Sequence, residues 1–189
     1  LGERCPKVHR SMTPYFFYVV RPADHCVVEN VHMRDAPGGF AMFLNVKDCR
    51  MSNCTIEGGA PRDIKTPEPG PCTRYLGVSI TGTTGMIIQG NHFGIYQGRS
   101  MFSWIASSSS RVTSNASIVG NVFEGGYDHA LYCSGLFKSV VAGNTSRDSA
   151  GLAIKLLGSD LTVTGNNITG GRGGISARFG SRNIIANNT

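Results

Sequence analysis

The chain has 189 residues, 16% of them charged and 40% hydrophobic, with 25 glycines; that length carries one domain with a sizeable core, and that balance excludes a disordered chain. Its formal net charge of +6 favours acidic partners, yet the basic residues form no run and no aromatic-basic motif accompanies them, so no nucleic-acid partner is expected. No apolar run approaches the ~20 residues of a membrane span, so no membrane partner is expected either, and Leu1 to Arg10 lacks the apolar core of a secretion signal.

Residues 13–59 (TPYFFYVVRPADHCVVENVHMRDAPGGFAMFLNVKDCRMSNCTIEGG) read as short apolar strands broken by turn residues, with Asn30 and Asn53 each closing an apolar stretch. Asp24, His25, His32, Arg34 and Asp35 form a polar cluster there. His25 and His32 stand seven apart, which matches no metal-ligand spacing such as HExxH, so turn and surface roles are expected. Gly58 to Thr73 carries four prolines and three glycines and is expected as a loop leaving the body of the fold. A strand and turn around Asn91 (IIQGNHF) follow. Arg99 to Asn115 then holds a run of four serines and the only tryptophan. It reads as a second exposed insertion of the kind that builds a binding wall, with Trp104 as a substrate contact.

The remainder is regular. Asn121 (SIVGNVF), Asn144 (VVAGNTS), Asn166 (TVTGNNI) and Asn187 (IIANNT) alternate with the strand starts HALYCSG, GLAIKLLGS and GGISARFGS. Alternation places Leu131 and Cys133, then Leu152, Ile154 and Leu156, then Ile175, Ala177 and Phe179 on the apolar side. The seven asparagines from Asn30 to Asn187 are spaced 23, 38, 30, 23, 22 and 21 apart, and the two long intervals coincide with the insertions.

A unit of that length holds about three short strands and three turns and cannot bury its apolar side alone. Stacking units at the ~4.8 Å strand spacing pairs every strand with the coil on either side and merges the inward side chains into one core. Asn tolerates the left-handed backbone of a tight turn, and its amide can hydrogen-bond to its equivalent one coil away. The expected fold is all-β: a single right-handed parallel β-helix over residues 1–189, of about seven to eight coils with two loop insertions. The chain stops in a turn at Thr189, so a continued stack in a longer polypeptide, or a homo-oligomer covering that end, is expected.

The GNxF and GNxI turns, the strand starts GLAI and GISA and the period of 21–23 resemble the pectate-lyase-like superfamily of right-handed β-helices, from about Cys26 to Thr189. Residues 13–59 are similar to polygalacturonase-type coils, although the paired-aspartate motif of those hydrolases does not follow. That superfamily hosts polysaccharide lyases, glycoside hydrolases, uronan epimerases and phage tailspikes. The resemblance implies an anionic polysaccharide as partner, with cleavage or epimerisation open to it beyond binding, and an extracellular or virion-surface location. The alternative is a non-catalytic tailspike or adhesin shaft that reads glycans.

The residues suited to such chemistry gather in the last coils. Alternation leaves Tyr132 facing outward near Ala153 and Ser176, with Ser134, Lys155 and Arg178 as the next outward column and Asp128 and His129 at the turn leading in. Lys155 or Arg178 could neutralise a uronate carboxylate and so acidify the neighbouring C5 proton, which His129, Tyr132 or Lys155 could then remove. Asp128, Arg178 and Trp104 are expected to bind substrate, and His129, Tyr132 and Lys155 to act on it. Six cysteines (Cys5, Cys26, Cys49, Cys54, Cys72 and Cys133) include no CxxC pair, so neither a metal nor any other cofactor is expected. Cys26 and Cys49 each precede a repeat asparagine by four residues, which predicts two free, buried thiols in adjacent coils.

Overall fold

The computed structural model describes residues 15–34, 39–57, 75–94, 101–125 and 129–189. Every regular element among them is a strand, and every pairing is parallel. The first sheet orders Tyr15–Val20, Gly39–Leu44, Tyr75–Thr81, Met101–Ser107, His129–Phe137, Leu152–Ser159 and Gly173–Arg178, with Thr113–Ser114 pairing off this path. The second runs from Val27–Glu29 through Arg50–Ser52, Ile87–Gln89, Ser117–Val119, Val140–Ala142 and Thr162–Thr164 to Ile184–Ala186. The third runs from His32–Arg34 through Thr55–Glu57, His92–Phe93, Val122–Glu124 and Thr145–Arg147 to Asn167–Thr169.

The chain thus visits each sheet in turn and steps one strand along on each circuit. It makes six complete coils and two strands of a seventh among the described residues. Counting asparagine turns had suggested seven to eight. The last turn, at Asn187, has no third strand after it, so turns outnumber complete coils.

The repeat asparagines occupy two positions one residue apart. Asn30, Asn53 and Asn187 hold the left-handed backbone of the turn (φ 56°, 52° and 53°), where the other coils use Gly90, Gly120, Gly143 and Gly165 (φ 61–63°). The residue after that turn points inward, and there Asn91, Asn121, Asn144, Asn166 and Asn188 stack. Each Oδ1 accepts the backbone N–H of the equivalent residue one coil before, beginning at Cys54, at 2.9–3.0 Å. It also accepts the side-chain amide of the preceding asparagine at 2.8–3.0 Å. Each Nδ2 in turn donates to a carbonyl, as Asn144 does to Ile118. The ladder therefore satisfies the polar groups that the inward turn would otherwise strand in the core.

The rest of the core is apolar and continuous. Phe43, Ile80, Ile105, Leu131, Ile154 and Leu156 line the first sheet, Met51, Ile88, Ile118, Val141 and Val163 the second, and Phe93 and Phe123 stack in the third at 5.0 Å. Trp104 belongs to this core. The segment read as an exposed insertion is mostly strand, because its apolar residues pair with Tyr75–Thr81 and His129–Phe137. Between its two strands, Ser108 to Val112 leave the sheet, and their serines, not Trp104, form the loop. Gly58 to Thr73, together with Asp35, Cys5 and Cys72, lies outside the described residues.

Candidate functional site

The outer face of the first sheet carries the group of side chains that the sequence singled out. Register places Tyr132 beside Lys155 and Lys155 beside Ser176, while Ser134, Leu157 and Arg178 form the next outward column. Lys155 is therefore one column away from its expected place. The expectation set Leu152, 21 residues on, level with Leu131, but Leu131 pairs with Ile154, 23 residues on; a two-residue offset keeps the alternation, so Lys155 still faces outward but in the Tyr132 column.

That shift brings the group closer together. The Lys155 ammonium lies 5.0 Å from the centroid of the Tyr132 ring, a cation–π contact that fixes the charge above the sheet without burying it. Arg178 turns its Nε back to Ser176 Oγ at 3.1 Å, toward the Lys155 column. Neither cation forms an ion pair among the described residues.

The contrast with the other faces is informative. On the third sheet, Glu57 takes up both His32 and Arg34, at 3.3 and 3.1 Å, and Glu124 takes up His92 and Arg147, at 3.5 and 3.3 Å. On the second, Arg50 meets Glu29, and beyond the first sheet Arg182 is held by Asp160. Asp24 and His25 keep turn roles, Asp24 Oδ1 accepting from the Lys47 backbone N–H at 2.8 Å and His25 holding a left-handed φ of 58°.

His129 and Trp104 sit behind the face. His129 is 5% exposed, and its Nδ1 lies 2.8 Å from the Leu152 carbonyl oxygen. A carbonyl only accepts, so Nδ1 carries the proton and donates it. The imidazole lies 5.6 Å from the Tyr132 ring and backs it from beneath. Trp104 is fully buried, with Nε1 donating to the Gly125 carbonyl at 3.3 Å and its ring 5.5 Å from Phe93. It forms part of the core and offers no exposed surface to a substrate. Asp128 lies outside the described residues.

One side chain reverses its expected direction. Phe179 was placed inward by alternation with Ile175 and Ala177, yet it is 87% exposed. Coils five, six and seven explain why. Ser134, Leu157 and Arg178 are in register, and so are Lys138, Asp160 and Arg182 by their backbone hydrogen bonds to the next coil. The first and last of these stretches hold one residue more than the middle one. The extra residues are Gly135 (φ 73°) and Phe179 (φ 55°), so each is the left-handed residue of a β-bulge. The signal for it was the Phe-Gly pair, where the middle coil has a single glycine.

Residues 17–189 match the family model for the right handed beta helix region. The chain belongs to the right-handed β-helix family. Two solved structures of PfbA, a surface adhesin of Streptococcus pneumoniae, share the β-helix. One is 13% identical over 90% of this chain and 61% of that one, with a TM-score of 0.62; the other is 12% identical over 90% and 65%, with a TM-score of 0.51. The chain thus spans less than two thirds of either solved chain, and at these identities the likeness is one of fold. No curated protein sequence matches the chain.

Within the β-helix, the first-sheet face offers two unneutralised cations, an aromatic ring and hydroxyl groups on rigid strands. Such a set can hold a carboxylate-bearing ligand in a fixed orientation. Four free thiols (Cys26, Cys49, Cys54 and Cys133) lie within the described residues; Cys26 and Cys49 stand in adjacent coils as the spacing predicted, but only Cys49 is buried and Cys26 is half-buried.

Proposed function

We propose that this β-helix binds an acidic polysaccharide, of the uronate class, across the outer face of its first sheet. The observation that carries the reading is the placing of Lys155 over Tyr132, next to an Arg178 that has no carboxylate partner among the described residues, on one outward sheet face. Lys155 and Arg178 bind the sugar carboxylates, and Tyr132 and Ser176 contact the ring and its hydroxyls. A location outside the cell or on a virion surface accords with such a ligand.

Cleavage or epimerisation would need a base at C5, and the half-buried Tyr132 and Lys155 are the outward groups on that face to supply one. His129 acts as a positioning residue. Its burial favours a second reading, a glycan reader without chemistry of the tailspike or adhesin kind, since the imidazole of the group does not face the ligand.

The experiment is a titration of uronate and neutral polysaccharides by calorimetry, with ultraviolet absorbance followed in parallel for unsaturated product. Binding of uronates but not neutral glycans supports the proposal, an unsaturated product adds lyase activity, and equal affinity for both classes contradicts it.

A further inference from the structure

We propose that Phe179 is a stacking platform for a pyranose ring at one edge of that face; this rests on the glycan-binding reading above and extends it to a second subsite. The backbone supplies the first argument. Left-handed φ is costly for a bulky side chain, and Gly135, two coils earlier, fills the same bulge without that cost. The seventh coil nonetheless holds a phenylalanine there, directly after the strand Gly173–Arg178. Backbone outliers of this kind gather where a side chain must be aimed, and bulges re-aim side chains at functional edges.

Position supplies the second argument. Phe179 follows Arg178 directly, and Arg178 reaches Ser176, the register neighbour of Lys155. An apolar side chain thus directly follows the cation that turns toward the Lys155 column. A uronate residue has the complementary pair of features, a carboxylate for the cation and a C–H face for the ring, whereas a small inorganic anion has only the first.

The two bulge positions also differ in cover. A Cβ on Gly135 would stand 3.2 Å from Ser109 Cα and 3.5 Å from the Arg111 carbonyl oxygen, so the serine loop rests on that bulge and leaves it no room for a side chain. In the coil between, Gly158 lies so close to the Leu136 carbonyl that no side chain fits. Of the three coils, the seventh alone projects a ring at this edge.

The test compares Phe179→Gly and Phe179→Trp with Lys155→Ala in titrations of an oligogalacturonate and of a neutral gluco-oligosaccharide, with melting temperature recorded for each. Phe179→Gly relieves the backbone, so it should melt at or above the parent temperature while binding the oligogalacturonate roughly fivefold more weakly. Phe179→Trp should retain the affinity. Affinity unchanged in Phe179→Gly, with Lys155→Ala impaired, overturns the platform and leaves the binding face standing. Affinity unchanged in both variants, or a parent that binds no oligogalacturonate, overturns both.

Discussion

Single residues carry identifiable shares of this fold. Asn144 sits mid-ladder, 2% exposed, accepting from the Asn121 N–H and Nδ2 and donating to the Ile118 carbonyl. Asn144→Ala strands those groups in the core and should cost about 2–4 kcal/mol, as measured by denaturant unfolding. Asn53 has the other role. Asn53→Gly should be near neutral, and Asn53→Ala should cost about 1 kcal/mol, because only the latter is strained at φ 52°. Burial pushes the Cys133 thiol from 9.0 up to about 12. An acid whose folded pKa is raised favours folding while both states are protonated, and this is lost as the unfolded chain ionises. The melting-temperature gap between the parent and Cys133→Ala should therefore stay constant below about pH 8. It should move in favour of Cys133→Ala as pH rises above 9; a gap that moves the other way contradicts this burial.

At the scale of strands and sheets, the first-sheet face separates binding from stability. Lys155→Ala and Arg178→Ala remove outward cations, half-buried and exposed respectively, that take part in no ion pair among the described residues, and should shift stability by no more than about 0.5 kcal/mol. Each should weaken uronate binding by roughly 1.5–3 kcal/mol, an effect that diminishes as salt is raised. The neighbouring thiols Cys26 and Cys49 should remain unbonded under mild oxidation, since in-register neighbours suit disulfide torsion poorly. Peptide mapping by mass spectrometry checks this, and Cys26, the more exposed of the two, should alkylate first.

The same scale marks how far sequence reading reached. Strand direction, the period and the inward Leu131, Cys133 and Ile154 were legible, because a two-residue period and a 21–23-residue repeat are both written in residue types. The column of Lys155 and the direction of Phe179 were not. The first depends on whether that coil is counted as 21 or 23 residues and the second on a one-residue bulge, and both show only when neighbouring coils are set in register. Trp104 misled for a related reason: the serines after it resemble a loop, while its own strand is fixed by pairing with residues some 27 positions either side. The asparagine repeat hid two jobs under one letter, a turn backbone in Asn53 and a ladder amide in Asn91.

For the whole molecule, each coil is held chiefly by its neighbours, so stability should behave as a chain of local terms joined by interfaces. Asn144→Ala should accordingly speed amide exchange most in the coils that flank it, with little effect at Tyr15–Val20. Uniform loss of protection would argue for one global unit. The same architecture makes the faces independent, so a ligand on the first sheet need not disturb the second. The most direct test of the account is chemical-shift mapping during titration with a uronate oligosaccharide. The account predicts shifts concentrated in His129–Phe137, Leu152–Ser159 and Gly173–Arg178 and quiet signals in Arg50–Ser52 and Ile87–Gln89. Shifts centred on the second or third sheet, or none at saturating ligand, would contradict it.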